Sequence, residues 1–306
     1  MLKWLHSKKS WRWGEMAVKL DGKKLATKVK QDLEQKVSNL KQKGITPKLV
    51  VILVGSDEAS QVYVRNKHRV AQQIGIETQD IRLPENTAEI ELLQLISKLN
   101  ADDTVHGILV QLPLPKQIDA EQITDAIAPA KDVDGFHPQN VGHLFMNDPR
   151  SLPCTPAGIL RFFQEYHLPL AGKHAVIVGR SNIVGRPMAA LLLNHDATVT
   201  ITHSKTKNLR QLTRQADILI VAIGKADFIT GADVKPGAVV IDVGMNRNAA
   251  GKLVGDVAQS SVDQVAGFLT PVPGGVGPMT IAMLMEQTVK FAERSVNCGR
   301  KNVSNS

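Results

Sequence analysis

The sequence predicts an α/β protein of two domains, and three observations carry that expectation. The chain has 306 residues, more than the roughly 100–200 of one average domain. Short β-branched runs alternate with segments of helical period in both halves, which is the mark of βαβ units and a parallel sheet. Between the halves, residues 137–156 are polar and rich in breakers (Asn147, Asp148, Pro149, Pro153, Pro156), as a boundary should be.

In chain order, LVVILVG from Leu49 reads as a buried strand, Glu58–Ile74 as a helix and Thr78–Leu83 as a strand. Thr87–Asn100 reads as a helix and GILVQL from Gly107 as another strand. In the second half Ala175–Val178, Val199–Thr202, Ile218–Ala222 and Val239–Val243 read as short strands, the first three separated by helical segments. An amphipathic helix over Thr280–Arg294 follows a glycine-rich loop and is suited to pack back on the first half. The expected layout is a leader of open role at 1–15, a first domain at 16–150 completed by 278–296, a second domain at 151–277 and a tail at 297–306.

Composition narrows the function classes. Hydrophobic residues are 43% and charged residues 22% of the chain, which argues for a globular protein rather than a disordered or fibrous one. Apolar runs such as Ile218–Ile223 fall far short of the roughly 20 residues that span a bilayer. The formal charge of +8 is concentrated at the ends, where residues 1–15 hold four cations against Glu15 and residues 294–306 hold three cations and no acid. The body is therefore nearly balanced, so neither nucleic acid nor a membrane is expected as a partner, while anionic small molecules are. Cys154 and Cys298 have no spacing that suits a disulfide framework or zinc, and a reducing, cytoplasmic setting fits. The Trp-rich leader has no apolar core of a secretory signal; it is either a transit-like segment or a prelude to a domain starting at Met16.

The second half opens with AVIVGRSNIVGRP, a strand running into a glycine-bracketed turn and a helix. Gly179 suits the tight turn, Ser181 stands where a second glycine is common, and Gly185 allows close approach of the helix start, a Rossmann-like arrangement that lacks the full glycine pattern. The next strand ends in Thr202, His203, Ser204 and Lys205 instead of the acid that would hold a ribose 2′-hydroxyl. A hydroxyl, a cation and the Arg180 guanidinium suit a 2′-phosphate, so NADP is favoured over NAD. The plainer alternative is that Arg180 and Lys205 are solvated surface charges.

In the first half, Ser60, Tyr63 and Lys67 share one helix face. On spacing alone the plainer reading prevails, a lysine stem beside a half-buried tyrosine. Two further features add weight. An apolar strand ends in Gln111, at the carboxyl end where parallel sheets bind ligands. KDVDGF then brings Asp132 and Asp134 close together; with only His137 nearby as a further ligand, a metal site is not expected, and Asp134 is instead suited to accept N–H groups of a heterocycle. The loop Thr270–Thr280, TPVPGGVGPMT, has a rigid and permissive backbone that is either a shaped binding surface or an ordinary connection.

Taken together, YVRNK, GILVQLPLP, KDVDGF, VGRSNIVGRP, HSKT and TPVPGGVGPMT resemble, in order and over about Ala17 to Arg294, the bifunctional methylenetetrahydrofolate dehydrogenase/methenyltetrahydrofolate cyclohydrolase family. The resemblance implies a folate cleft between a discontinuous N-terminal catalytic domain and a Rossmann-like NADP domain, tetrahydrofolate derivatives as substrates, and a homodimer. It implies Lys67 as the acid/base residue, Tyr63 as the group that orients the folate, Gln111 as the partner of the lysine and Asp134 as the holder of the pterin. Ser60, Pro271, Gly275 and Val276 would complete the folate pocket, and Gly179, Arg180, Ser181, Ile183, Gly185 and Ser204 the NADP site. No metal is implied. The readings kept against it are a two-domain oxidoreductase of the shikimate dehydrogenase type and a non-catalytic nucleotide-responsive binding module.

Overall fold

The computed structural model describes residues 16–303, so the expectations for the leader Met1–Glu15 lie outside the described residues. The first half runs β1 (Val18–Lys19), α1 (Gly22–Gln42), β2 (Lys48–Val54), α2 (Glu58–Ile74), β3 (Glu77–Leu83), α3 (Glu89–Ala101), β4 (Gly107–Val110), α4 (Ala120–Ala126), α5 (Pro138–Phe145) and α6 (Cys154–Glu165). The second runs β5 (His174–Val178), α7 (Gly185–Leu193), β6 (Thr198–Thr202), α8 (Leu209–Thr213), β7 (Ile218–Val221) and β8 (Val239–Asp242). It ends with β9 (Asn246–Arg247), β10 (Leu253–Val254), α9 (Gln259–Val262), β11 (Phe268–Leu269) and α10 (Val276–Val303).

Two parallel sheets result. The smaller has the order β3-β2-β4, and its central strand is buried along six of seven residues, which is why it reads as one apolar run. The larger has the order β1-β11-β8-β7-β5-β6. Its edge holds a surprise. β1, in the stretch expected to belong wholly to the first domain, pairs with β11 of the other sheet (Val18 opposite Phe268). Two-residue strands have no period from which a sequence pattern could place them.

The core is layered. One cluster joins Leu33 and Val37 of α1, Phe162 of α6 and Met285 of α10 to residues of both sheets, so these helices fill the space between the sheets. Separate clusters cover the outer faces, with α3 and α4 on the small sheet and α9 on the large one. α10 packs on α1, α6, α2, β2 and β4, as a helix returning to the first half would. Met279, Met285 and Val289 on it are at most 1% exposed, and each such burial is worth about 1.5–3 kcal/mol before entropy is counted.

Element ends differ from the sequence reading for local reasons. α10 begins at Val276 rather than Thr280, because Pro278 falls in the first turn, where its missing N–H has no intrahelical partner to lose. It extends to Val303, so residues 297–303, expected as tail, are helical. The breaker-rich stretch contains α5 and the start of α6, with Pro138 and Pro153 placed at helix starts. No helix among the described residues is long and apolar enough to cross a membrane.

Candidate active site

α2 carries Tyr63 and Lys67 to the cavity. Asp57 caps it by accepting the Ser60 N–H at 2.7 Å, and Gly75 ends it in the left-handed region at φ 81°. Val64, Ala71 and Ile74 anchor its apolar side, which leaves Tyr63 and Lys67, one turn apart, half-buried and facing a cavity of about 750 Å³. The cavity lies between the halves and is bounded by α1, α2, the end of β4, the segment after β8 and the loop before α10.

Lys67 Nζ donates to Gln111 Oε1 at 3.0 Å. Gln111 Nε2 in turn donates to the Leu112 carbonyl at 2.8 Å, so the amide presents its oxygen to the amine. Burial lowers the Lys67 pKa, opposed by the charges of Asp134 and Cys154. Burial pushes Asp134 up to about 6, against the pull of Lys67 and with the push of Asp132. Burial thus moves the amine down and the carboxyl up, each away from its ordinary value.

The two carboxylates of KDVDGF have separate roles. Asp132 is 2% exposed and accepts from Gly135 N–H, His137 N–H and Asn140 Nδ2, each between 2.9 and 3.0 Å. It holds the loop, and Asp134 faces the cavity. Among the described residues no group of three or more His, Cys, Asp or Glu gathers as a metal site would.

Tyr63 reaches across the cavity, its hydroxyl 3.3 Å from Met245 Sδ in the segment that follows β8, and burial raises its pKa. Pro271, Gly275 and Val276 line the opposite wall, together with Ile183 from the turn after β5. Ser60 is not brought to the cavity: it is 3% exposed and sits in the first turn of α2 against Asp57. Residues that the sequence reading passed over also line the cavity, among them Phe136, Met245 and Asp242, whose carboxyl burial pushes up to about 6. Lys23, Lys30 and Arg69 put cations on the same wall as α1 and α2. A strand end such as β8 was a clue to Asp242, and Phe136 ends the KDVDGF motif; nothing local marked Met245.

At the carboxyl end of β5 the chain makes a tight, glycine-dependent turn into α7. Gly179 has φ 124° and a Cβ there would strike the Ala222 carbonyl after β7, so only glycine lets the two strand ends close up. The Ser181 hydroxyl accepts the N–H groups of Val184 and Gly185 at 3.2 and 3.3 Å and secures the start of α7. Thr202 is spent inside the sheet, donating to the Ile177 carbonyl at 3.0 Å. Arg180 and Ser204, by contrast, are exposed at the carboxyl ends of the neighbouring strands β5 and β6, the positions a 2′-phosphate needs. A glycine-shaped notch with an exposed guanidinium and hydroxyl beside it fits NADP.

A family model described as tetrahydrofolate dehydrogenase/cyclohydrolase, catalytic domain, matches residues 20–134, and one described as the NAD(P)-binding domain of the same enzymes matches 153–296. A Ligilactobacillus salivarius relative named bifunctional protein FolD is 69% identical over 281 residues, which is 92% of this chain and 99% of that protein. The crystal structure of bifunctional FolD from Campylobacter jejuni is 52% identical, covers 91% of this chain and 99% of its own, and superposes with a TM-score of 0.90. A Trypanosoma brucei dehydrogenase-cyclohydrolase, crystallised with NADP cofactor and inhibitor, is 37% identical over 92% of this chain and 99% of its own, with a TM-score of 0.88.

Proposed function

Because the chain belongs to the tetrahydrofolate dehydrogenase/cyclohydrolase family, we propose that its two reactions share the cavity beside α2 and that Lys67 moves the protons there. The protein oxidises 5,10-methylenetetrahydrofolate to the methenyl form with NADP and hydrolyses that product to 10-formyltetrahydrofolate. Family membership sets aside the shikimate dehydrogenase type and the non-catalytic binding module.

NADP, when bound, accepts the hydride that leaves the bridging carbon. Gly179, Ser181, Ile183 and Gly185 would shape its seat, and the exposed Arg180 and Ser204 would hold its 2′-phosphate. The methenyl cation left on the folate spreads its charge over two nitrogens, so for this step the protein supplies orientation: Tyr63 from one wall, Pro271, Gly275 and Val276 from the other, and Asp134 as acceptor for the pterin N–H groups.

Hydrolysis asks more of the side chains. Water adds to the same carbon and must lose a proton; one carbon–nitrogen bond then breaks as its nitrogen gains a proton, and one water is consumed with one proton released. An ordinary lysine, with a pKa of about 10.4, is a poor base at neutrality. Lys67, lowered by burial and held by Gln111, can take the proton from water and return one to the leaving nitrogen.

The observation that carries this reading is the Lys67–Gln111 contact at 3.0 Å inside a cavity that Ile183 of the dinucleotide turn also lines. Methenyl formation and decay followed by absorbance, with NADP and with NAD in turn, tests it. Formation with NADP followed by decay is expected; absence of either phase overturns it.

A homodimer and a cytoplasmic location are further parts of the proposal. The dimer is supported by an apolar surface in which Phe145 and Met146 are 74% and 79% exposed, near Leu193 of α7 and the open edge strand β6 with Ile201. Sedimentation is expected to give twice the chain mass, falling to the single mass in Phe145→Asp; a monomeric wild type ends that part.

A further inference from the structure

The buried carboxylate of Asp256, just after β10, takes no part in the chemistry above. It is fully buried. Its Oδ2 accepts the N–H groups of Ile223 at 2.7 Å and Gly224 at 3.0 Å; its Oδ1 accepts that of Lys225 at 2.8 Å and Asn246 Nδ2 at 2.9 Å. Four donors use the whole accepting capacity of a carboxylate, so no room is left for a ligand on Asp256 itself. Its effect lies in what it holds.

It holds the segment that follows β7. The order of the large sheet reverses at β5, with β6 on one side and β7 on the other, and in open parallel sheets a dinucleotide lies in the crevice at such a reversal. The Ala222 carbonyl borders that crevice against Gly179, and Ile223–Lys225 come next in the chain. Three consecutive N–H groups in this segment turn inward to one charge, with Gly224 at φ 66°.

A second acid holds the other side. Asp242 accepts the N–H groups of Gly244 at 3.0 Å, Asp256 at 2.9 Å and Val257 at 3.1 Å, and its segment Val243–Met245 walls the folate cavity. The two loops interlock so closely that a Cβ on Gly244 would strike Asp256. Each half-site thus has its own buried carboxylate.

We propose that Asp256 is a positioning residue for the dinucleotide, holding Ile223–Lys225 as the wall of the NADP crevice opposite the Gly179 turn. The proposal rests on the NADP reading above. Asp256→Asn keeps the shape but offers an NH₂ to a cluster of donors, and loss of two charge-assisted bonds should weaken the wall.

The test combines three readouts: calorimetric titration of NADP, amide exchange at residues 223–225, and hydrolysis of methenyltetrahydrofolate without cofactor. Expected for D256N are an NADP Kd raised about tenfold or more, faster exchange at those amides, and hydrolysis within about twofold of wild type. Asn246→Ala, which removes one donor and disturbs the fold less, should move the Kd about two- to threefold in the same direction, and it carries the test if D256N does not fold. An unchanged Kd in both variants, or hydrolysis falling as far as binding does, overturns the proposal and leaves Asp256 as scaffold. A wild type that does not bind NADP overturns the cofactor reading itself.

Discussion

The two ligand-facing strand ends of this molecule are built from different materials. At the end of β4 the proposed working groups are half-buried side chains, Lys67, Gln111 and Asp134, tied to one another by a hydrogen bond of 3.0 Å and by charge. At the end of β5 they are mostly backbone, a glycine turn and a helix start, with exposed Arg180 and Ser204 at the margin. The difference follows from the tasks. A lysine or an aspartate that trades protons near neutrality needs a pKa displaced from its ordinary range, and burial, close charges and hydrogen bonds displace it. Holding a pyrophosphate needs N–H groups at fixed places, and a solvated guanidinium suffices to sort one cofactor from another.

The division can be broken most sharply at Lys67. Lys67→Ala should lower methenyl hydrolysis by roughly a hundredfold to ten-thousandfold, the usual worth of a positioned acid/base, while NADP affinity measured by titration changes little. Equal losses in both would erase the distinction between the two ends. Next in size is Arg180→Ala: removal of a charge-assisted contact costs about 1.5–3 kcal/mol, so the KM for NADP should rise roughly tenfold to a hundredfold and that for NAD much less. If the ratio of the two holds steady, the 2′-phosphate is read elsewhere.

The smallest effect concerns Asp134 and sharpens the comparison through pH. Its folded pKa of about 6 lies above the ordinary value of 3.8. The folded protein therefore keeps a proton that the unfolded chain releases, and this contribution to stability is largest below the ordinary value and is lost as pH rises toward about 6. Thermal unfolding across that window should show a steeper decline for wild type than for Asp134→Asn, and the hydrolysis rate of the wild type should have an acidic limb near pH 6 that the variant lacks. Parallel melting curves would mean that Asp134 is ordinary.

Much of the site was legible because it lies on elements with a clear period. The i, i+4 spacing of Tyr63 and Lys67 on an apolar-faced helix, and an amide at the end of a buried strand, are both local signals, and the structure brings these residues to one cavity with Asp134. The misses are of another kind. Ser60 shares the helix face with Tyr63 and Lys67, yet the cap with Asp57 keeps it in the first turn, away from the cavity. Met245 meets Tyr63 across 182 positions of sequence, and Asp256 gathers amides about thirty residues away. β1 has β11 as its one strand neighbour and exists only because it finds it. Such pairings are properties of the folded chain and leave no periodic trace.

The placement of α10 between the sheets sets an order of events at the ribosome. Lys67 and Gln111 emerge before the helix that fills the layer beside them, and β1 must wait for β11 before it has a neighbour. The nascent first half therefore presents an open apolar flank while the second is being made, and it closes only when α10 packs against it.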